Sequence, residues 1–153
     1  MQSKQLHEEN GQKTFVLIFD TGDEFMSGLT KFAKENGLSA ASLTAIGAFS
    51  DVTLGYFDMQ KKEYEKISME EQVEVLSLVG DIAPKEDGEP QVHAHVVVGR
   101  FNGTTRGGHV LEAHVRPTLE VVLTESPAHL RRRTDDETGL ALIDLQAERT
   151  EDA

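Results

Sequence analysis

The sequence predicts an α+β domain, a mostly antiparallel or mixed β-sheet of about seven or more strands with one or two helices packed on it. Three observations predict it. Runs rich in β-branched and aromatic residues recur along the chain, many alternating with period two. One prominent segment, 23–36, carries apolar residues at helical spacing, and clusters of Gly, Pro, Asn and Asp separate the runs. At 153 residues the chain is long enough for one full core, and no internal repeat suggests a second domain. The domain is placed at 13–146, between flexible polar tails at 1–12 and 147–153.

Taken in order, residues 13–19 (KTFVLIF) read as a strand closed by the turn residues Asp20 to Asp23. Phe25, Met26, Leu29, Phe32 and Ala33 then mark one face of a helix, with Asp23 as its expected cap and Gly37 as its stop. Residues 38–41 either open a short second helix or lead directly into a strand at 42–49, whose small residues permit close backbone approach. Strands are expected at 52–57 and 63–69 around a turn at 58–62, and again at 72–79. Pro84, Gly88 and Pro90 make 81–90 a loop. A histidine-bearing hairpin, a strand at 118–124 and a last one at 140–145 complete the sheet.

Composition narrows the function. With no cysteine, any metal must be held by histidine and carboxylate, and a thiol nucleophile is excluded. The formal net charge of -12 repels a nucleic-acid backbone unless a local basic patch overcomes it, so direct nucleic-acid binding by this chain alone is not expected. No apolar run reaches the ~20 residues of a membrane span, and the first dozen residues lack a signal-peptide core, so the expected location is the cytoplasm.

Four of the six histidines fall within residues 91–114. His93 and His95 are two apart on a strand and therefore share a face. A turn at Asn102-Gly103 returns the chain, and His109 meets His95 if a one-residue bulge at Gly107-Gly108 corrects a two-residue turn. Three neutral imidazoles plus water suit a tetrahedral zinc site, or another divalent transition metal, with a position left open. The plainer reading is three half-buried, hydrogen-bonded strand histidines. His114 is a weaker candidate ligand, five residues beyond His109. Glu112 and Glu89 are the nearby carboxylates that could orient an imidazole or act as a base, although solvated surface charge suits both.

The remaining motifs carry less. Gly99, Gly103, Gly107 and Gly108 with Arg100 and Arg106 could cradle a small anionic ligand, but turn geometry explains the glycines better. Arg131, Arg132 and Arg133 form the one basic run; Asp135, Asp136 and Glu137 beside it favour a solvated loop or an intersubunit ion-pair network. No hydrolase serine motif, P-loop or dinucleotide fingerprint occurs, so no catalytic residue is assigned.

The order of several motifs resembles one family. EVLSLVGDI at 74–82, GEPQVHAH at 88–95, GGH at 107–109 and PTLEV at 117–121 look like the PPC domain of plants and prokaryotes. TAIGA at 44–48, LGYF at 54–57 and DETGL at 136–140 also fit, so the resemblance spans roughly 13–146. It implies a homotrimer, stand-alone domains in prokaryotes, and in plants a domain that follows AT-hook segments and serves nuclear regulation. Some prokaryotic members resemble metal-bound proteins, and the histidines matching such a site are His93, His95 and His109. No AT-hook core is present here. Self-association also has a physical basis, because the apolar strands at 73–79, 96–98 and 119–123 offer more surface than one helix can cover. Four roles stay open: a metal-binding trimer of unassigned biochemistry, a DNA-associated regulator, an enzyme using metal-bound water, and a structural trimerisation module with unliganded histidines.

Overall fold

The computed structural model describes residues 1–147, which form β1 (Gln2–Glu9), β2 (Gln12–Asp20), α1 (Phe25–Glu35), β3 (Ala41–Asp58), β4 (Glu63–Met69), β5 (Val73–Pro84), β6 (Pro90–Gly99), β7 (Thr105–Glu125), β8 (Arg132–Thr134) and β9 (Ala141–Ile143). Seven strands make one antiparallel sheet in the order β1-β2-β7-β6-β5-β3-β4, and β8 pairs with β9 apart from it. Strand β7 also pairs along β3, so β3, β5, β6 and β7 close a circuit. The mostly antiparallel sheet of seven strands is the predicted one. A single helix lies among the described residues.

Period-two alternation decides what is inside. In β6, Val92, Ala94, Val96 and Val98 are buried, and Leu119, Val121 and Leu123 of β7 join them in the core. Helix α1 adds Phe25, Leu29, Phe32 and Ala33. Its Phe32 meets Phe15 of β2 edge-on at 5.3 Å, and Phe25 lies 5.6 Å from Phe19, geometries that aromatic quadrupoles favour. Replacing either helix phenylalanine by alanine would cost roughly 3–5 kcal/mol. The opposite, outward face of the circuit has no helix over it and exposes Ile46, Leu76, Val79, Val97 and Val122.

Several expectations are corrected. The first twelve residues are no tail: β1 pairs with β2 from Gln2↔Ile18 to Glu9↔Gln12. Every β1 residue is exposed, so the pairing rests on main-chain hydrogen bonds and leaves no hydrophobic pattern in the sequence. The helix is capped by Glu24, which accepts from the amides of Met26 at 3.0 Å and Ser27 at 2.6 Å, because Asp23 is occupied by the Asp20 amide and the terminal ammonium. Gly37 does stop the helix, with φ of +61°. No second helix forms at 38–41. The strands expected at 42–49 and 52–57 are the two halves of β3, whose register shifts at several bulges, and the run at 118–124 is the second half of β7. Strand β5 continues to Pro84, through the first four residues of the expected loop. Of the expected C-terminal tail, residues 148–153 lie outside the described residues. Among the described residues, no helix is long and apolar enough to cross a membrane.

Candidate metal centre

The site is built on the hairpin β6–β7. Its loop, residues 100–104, is closed by Arg100 N–H to Thr104 C=O and Gly103 N–H to Arg100 C=O, both 2.8 Å. This sets Gly99 opposite Thr105 and carries His95 directly opposite His109. The expected partnership therefore forms, but not by a two-residue turn and a bulge. The loop length alone supplies the register. Gly107 and Gly108 sit within the ladder, where a Cβ on Gly108 would fall 3.0 Å from the Gly55 carbonyl oxygen of β3. Glycine there lets β7 approach both neighbours.

His93, His95 and His109 each offer one ring nitrogen to a cluster whose members all lie within 4.8 Å of one another. The His93 and His95 Nε2 atoms are 3.2 Å apart, and the three ring centroids are separated by 5.1, 5.3 and 5.4 Å. Nitrogens at zinc bond lengths on tetrahedral corners stand about 3.3 Å apart, so the His93–His95 pair already has ligand spacing. His109 carries a buried Nδ1 with no hydrogen-bond partner. Burial, then the neighbouring His93 and His95, push the His109 pKa down to about 4. His95 is lowered too, by burial and then by His93. Neutral imidazoles with free lone pairs are what a divalent metal requires.

The surroundings hold these rings in place. Asp81 of β5, opposite His93, lies with Oδ2 3.2 Å from His93 Nδ1, and its other oxygen accepts from Arg132 Nη2. Burial alone would raise the Asp81 pKa, but the His93 hydrogen bond and the Arg132 charge outweigh it and the carboxyl is lowered. Tyr64 of β4 stacks on His109 at 4.7 Å, backed edge-on by Phe57 at 5.2 Å. Burial pushes the Tyr64 phenol up.

Sequence reasoning missed Asp81, Tyr64 and Arg132. The prolines and glycine of 81–90 place Asp81 in a loop, although period two carried from Val79 to Asp81 keeps it on the histidine face once the strand is extended. Neither proposed carboxylate belongs to the cluster: Glu89 is bound by Lys34 at 2.8 Å, and Glu112 is an exposed residue opposite Thr53 in the β3–β7 ladder. His114 is not in the cluster, since its Nδ1 bonds Asp51 at 2.7 Å. Arg132 is buried rather than solvated, and Arg100 is paired with Glu71 at 2.6 Å instead of facing an anion site.

Solved structures give the context for this geometry. A plant- and prokaryote-conserved (PPC) protein of Pyrococcus horikoshii is similar at 30% identity and a TM-score of 0.81, covering 96% of this chain and 97% of that one. A metal-containing protein of Archaeoglobus fulgidus is 35% identical with a TM-score of 0.79, over 92% of this chain and 99% of its own. A protein of Ralstonia eutropha JMP134 assigned provisionally as DNA-binding is 29% identical with a TM-score of 0.82, over 93% and 96%. No curated protein matches the chain. The family profile of the Plants and Prokaryotes Conserved (PCC) domain matches residues 6–127, and the chain belongs to that family.

Proposed function

We propose that this chain is a metal-binding PPC-domain protein that holds a divalent transition metal, zinc first, through His93, His95 and His109. The observation that carries the reading is the convergence of three imidazoles, two with Nε2 atoms 3.2 Å apart and the third with an orphaned Nδ1. Unpartnered buried nitrogens are costly unless something accepts them. The Archaeoglobus relative described as metal-containing supports it. Three nitrogen ligands would leave one position open, and a bound zinc supplies a Lewis-acid centre there. Among the described residues, the carboxylate bonded to the cluster is Asp81, already committed to Arg132 and His93. No base is assigned beside the cluster, and the reading is therefore one of metal binding rather than of a named reaction.

The centre lies on the outward sheet face, where His95 stands opposite Val79 and the exposed Val97 is two residues along β6. Exposed apolar surface of this kind marks a site where a partner or ligand docks. We read the partner as two further copies of the chain, a cytoplasmic homotrimer with the metal at or near the subunit interface. Leu76→Glu is expected to shift the assembly toward monomer in light scattering, and an unchanged mass would remove this part of the reading.

The relative assigned provisionally as DNA-binding motivates a second reading, transcription-associated binding. The net charge of -12 opposes it. Duplex affinity falling steeply with salt would support DNA binding, and its absence would count against it. The metal reading is tested by elemental analysis of tag-free protein and zinc retitration after chelation. Near-stoichiometric zinc in the wild type and its loss in His95→Ala support it. No metal and no zinc uptake would end it.

A further inference from the structure

The family match stops at residue 127, yet the segment after it reaches the histidine cluster. Strands β8 and β9 form a hairpin with little apolar surface to bury: Leu142 and Ile143 are exposed, and Arg132 is the buried residue of β8. The Arg132 side chain is 4% exposed. It donates to the Ala141 carbonyl oxygen at 3.0 Å through Nη1 and to Asp81 through Nη2, while its buried Nε has no partner. A buried guanidinium with an unsatisfied donor is poor value for stability alone, because desolvation offsets much of the ion-pair attraction. What the arrangement does accomplish is orientation. With one oxygen on Arg132, the Asp81 carboxylate is fixed in rotation, and its other oxygen faces His93 Nδ1 at 3.2 Å. That contact assigns the proton to Nδ1 and leaves the lone pair on Nε2, the atom 3.2 Å from His95 Nε2.

We propose that Arg132 is a positioning residue of the histidine cluster, and that docking of the β8–β9 hairpin and metal binding at His93, His95 and His109 strengthen each other. The inference rests on the metal reading above. Linkage makes the effect reciprocal: whatever the docked hairpin adds to metal affinity, the metal adds to docking. Among the described residues, the hairpin and the segment leading into it also meet the domain through Thr134 N–H to Glu86 at 2.7 Å and Leu130 N–H to the Ser39 carbonyl oxygen at 3.2 Å, so docking is a local equilibrium that a ligand can bias.

The experiment uses full-length protein. Zinc affinity is measured by competition with a chromogenic chelator for wild type, Arg132→Met, Arg132→Lys and Asp81→Asn, with the visible spectrum of the cobalt(II) adduct recorded for each. Amide exchange of the wild-type hairpin is followed with and without zinc. Arg132→Met is expected to weaken zinc about 10- to 100-fold and to shift the cobalt bands, with Arg132→Lys falling between it and wild type. Zinc is expected to slow exchange at the Asp135 and Asp144 amides, which bond Leu140 and Arg131 within the hairpin. A merely structural Arg132 would lower the melting temperature without moving either the cobalt spectrum or the zinc affinity. Should Arg132→Met melt too early to titrate, Asp81→Asn, which keeps the arginine, is expected to show the same loss. Wild-type zinc affinity in these variants, or hairpin exchange indifferent to zinc, overturns the proposal. A wild type that takes up no zinc overturns the metal reading instead, so the two failures are distinguishable.

Discussion

His109 and His114 lie five residues apart on the same strand, β7, and are opposite in character. His109 is half-buried among other imidazoles, its Nδ1 has no partner, and its pKa is pressed to about 4. His114 has Nδ1 2.7 Å from Asp51, whose other oxygen accepts from Ser50, and its pKa is raised. The hydrogen bond to Asp51 is the main cause; modest burial opposes it, and the charges of Asp51, Glu112 and Glu24 add to it. Strand position alone does not make a histidine a ligand. A carboxylate directly on the ring, with no other cation to satisfy it, holds a proton and makes a salt bridge. At His93 the carboxylate is shared with a buried arginine, so orientation is supplied while part of the charge is spent elsewhere.

The sharpest way to break this comparison is to remove each ring in turn. His109→Ala is expected to weaken zinc by more than the about 10- to 100-fold that losing an outer partner costs, because a ligand itself is gone. His114→Ala is expected to leave zinc affinity within about twofold, read by the same competition titration. Equal losses in both variants would show that the two environments do not differ in the way their partners imply.

A smaller effect follows from proton linkage in the metal-free protein. The ordinary histidine pKa is 6.5, and His109 in the fold lies at about 4, so between these values the unfolded chain binds a proton that the folded chain does not. The stabilisation is complete above pH 6.5 and is lost as the pH falls toward 4. Over that interval it would amount to about 3 kcal/mol if unscreened. Solvent at a half-exposed ring reduces this to on the order of 1–2 kcal/mol. Denaturant unfolding with chelator present, at pH 7.5, 5.5 and 4.5, is expected to show the decline, and His109→Gln is expected to flatten it. An unchanged slope in that variant would assign the acid sensitivity to other groups.

These residues also show what a sequence makes legible. The shared face of His93 and His95 follows from alternation in six consecutive residues, a local pattern. The meeting of His95 and His109 needed a loop length, and a five-residue loop cannot be distinguished from a two-residue turn when Asn102-Gly103 suits either. Asp81 and Arg132 are 51 positions apart and join only through packing of a hairpin on the sheet, so no window of sequence contains them. The fold shows the same division. Strands with a buried face were visible, whereas β1, exposed at every residue, pairs through its backbone and leaves no trace in side-chain pattern. Bulges interrupt alternation without ending a strand, so the sequence pattern shows breaks inside β3 and β7 where the backbone has none.

The subtlest prediction concerns His114, where the sign of the pH effect reverses. A raised pKa means that the folded chain holds a proton more tightly than the unfolded one. The contribution is fully present below pH 6.5 and is lost as the pH rises through the folded value. The ring and its partner are each about 40% exposed, 39% and 41%, so solvent screening leaves the pair worth a few tenths of a kcal/mol. Asp51→Asn is expected to lower the melting temperature more at pH 6 than at pH 8.5, and to bring the His114 titration, followed by proton NMR, back toward 6.5. His109→Gln, which removes a term of the opposite sign, is expected to leave the His114 titration where it was, because no hydrogen bond connects the two rings. If instead the His114 midpoint moved with His109, the two histidines would be one coupled system, and the division of β7 into a metal-ready ring and a salt-bridged ring would be lost.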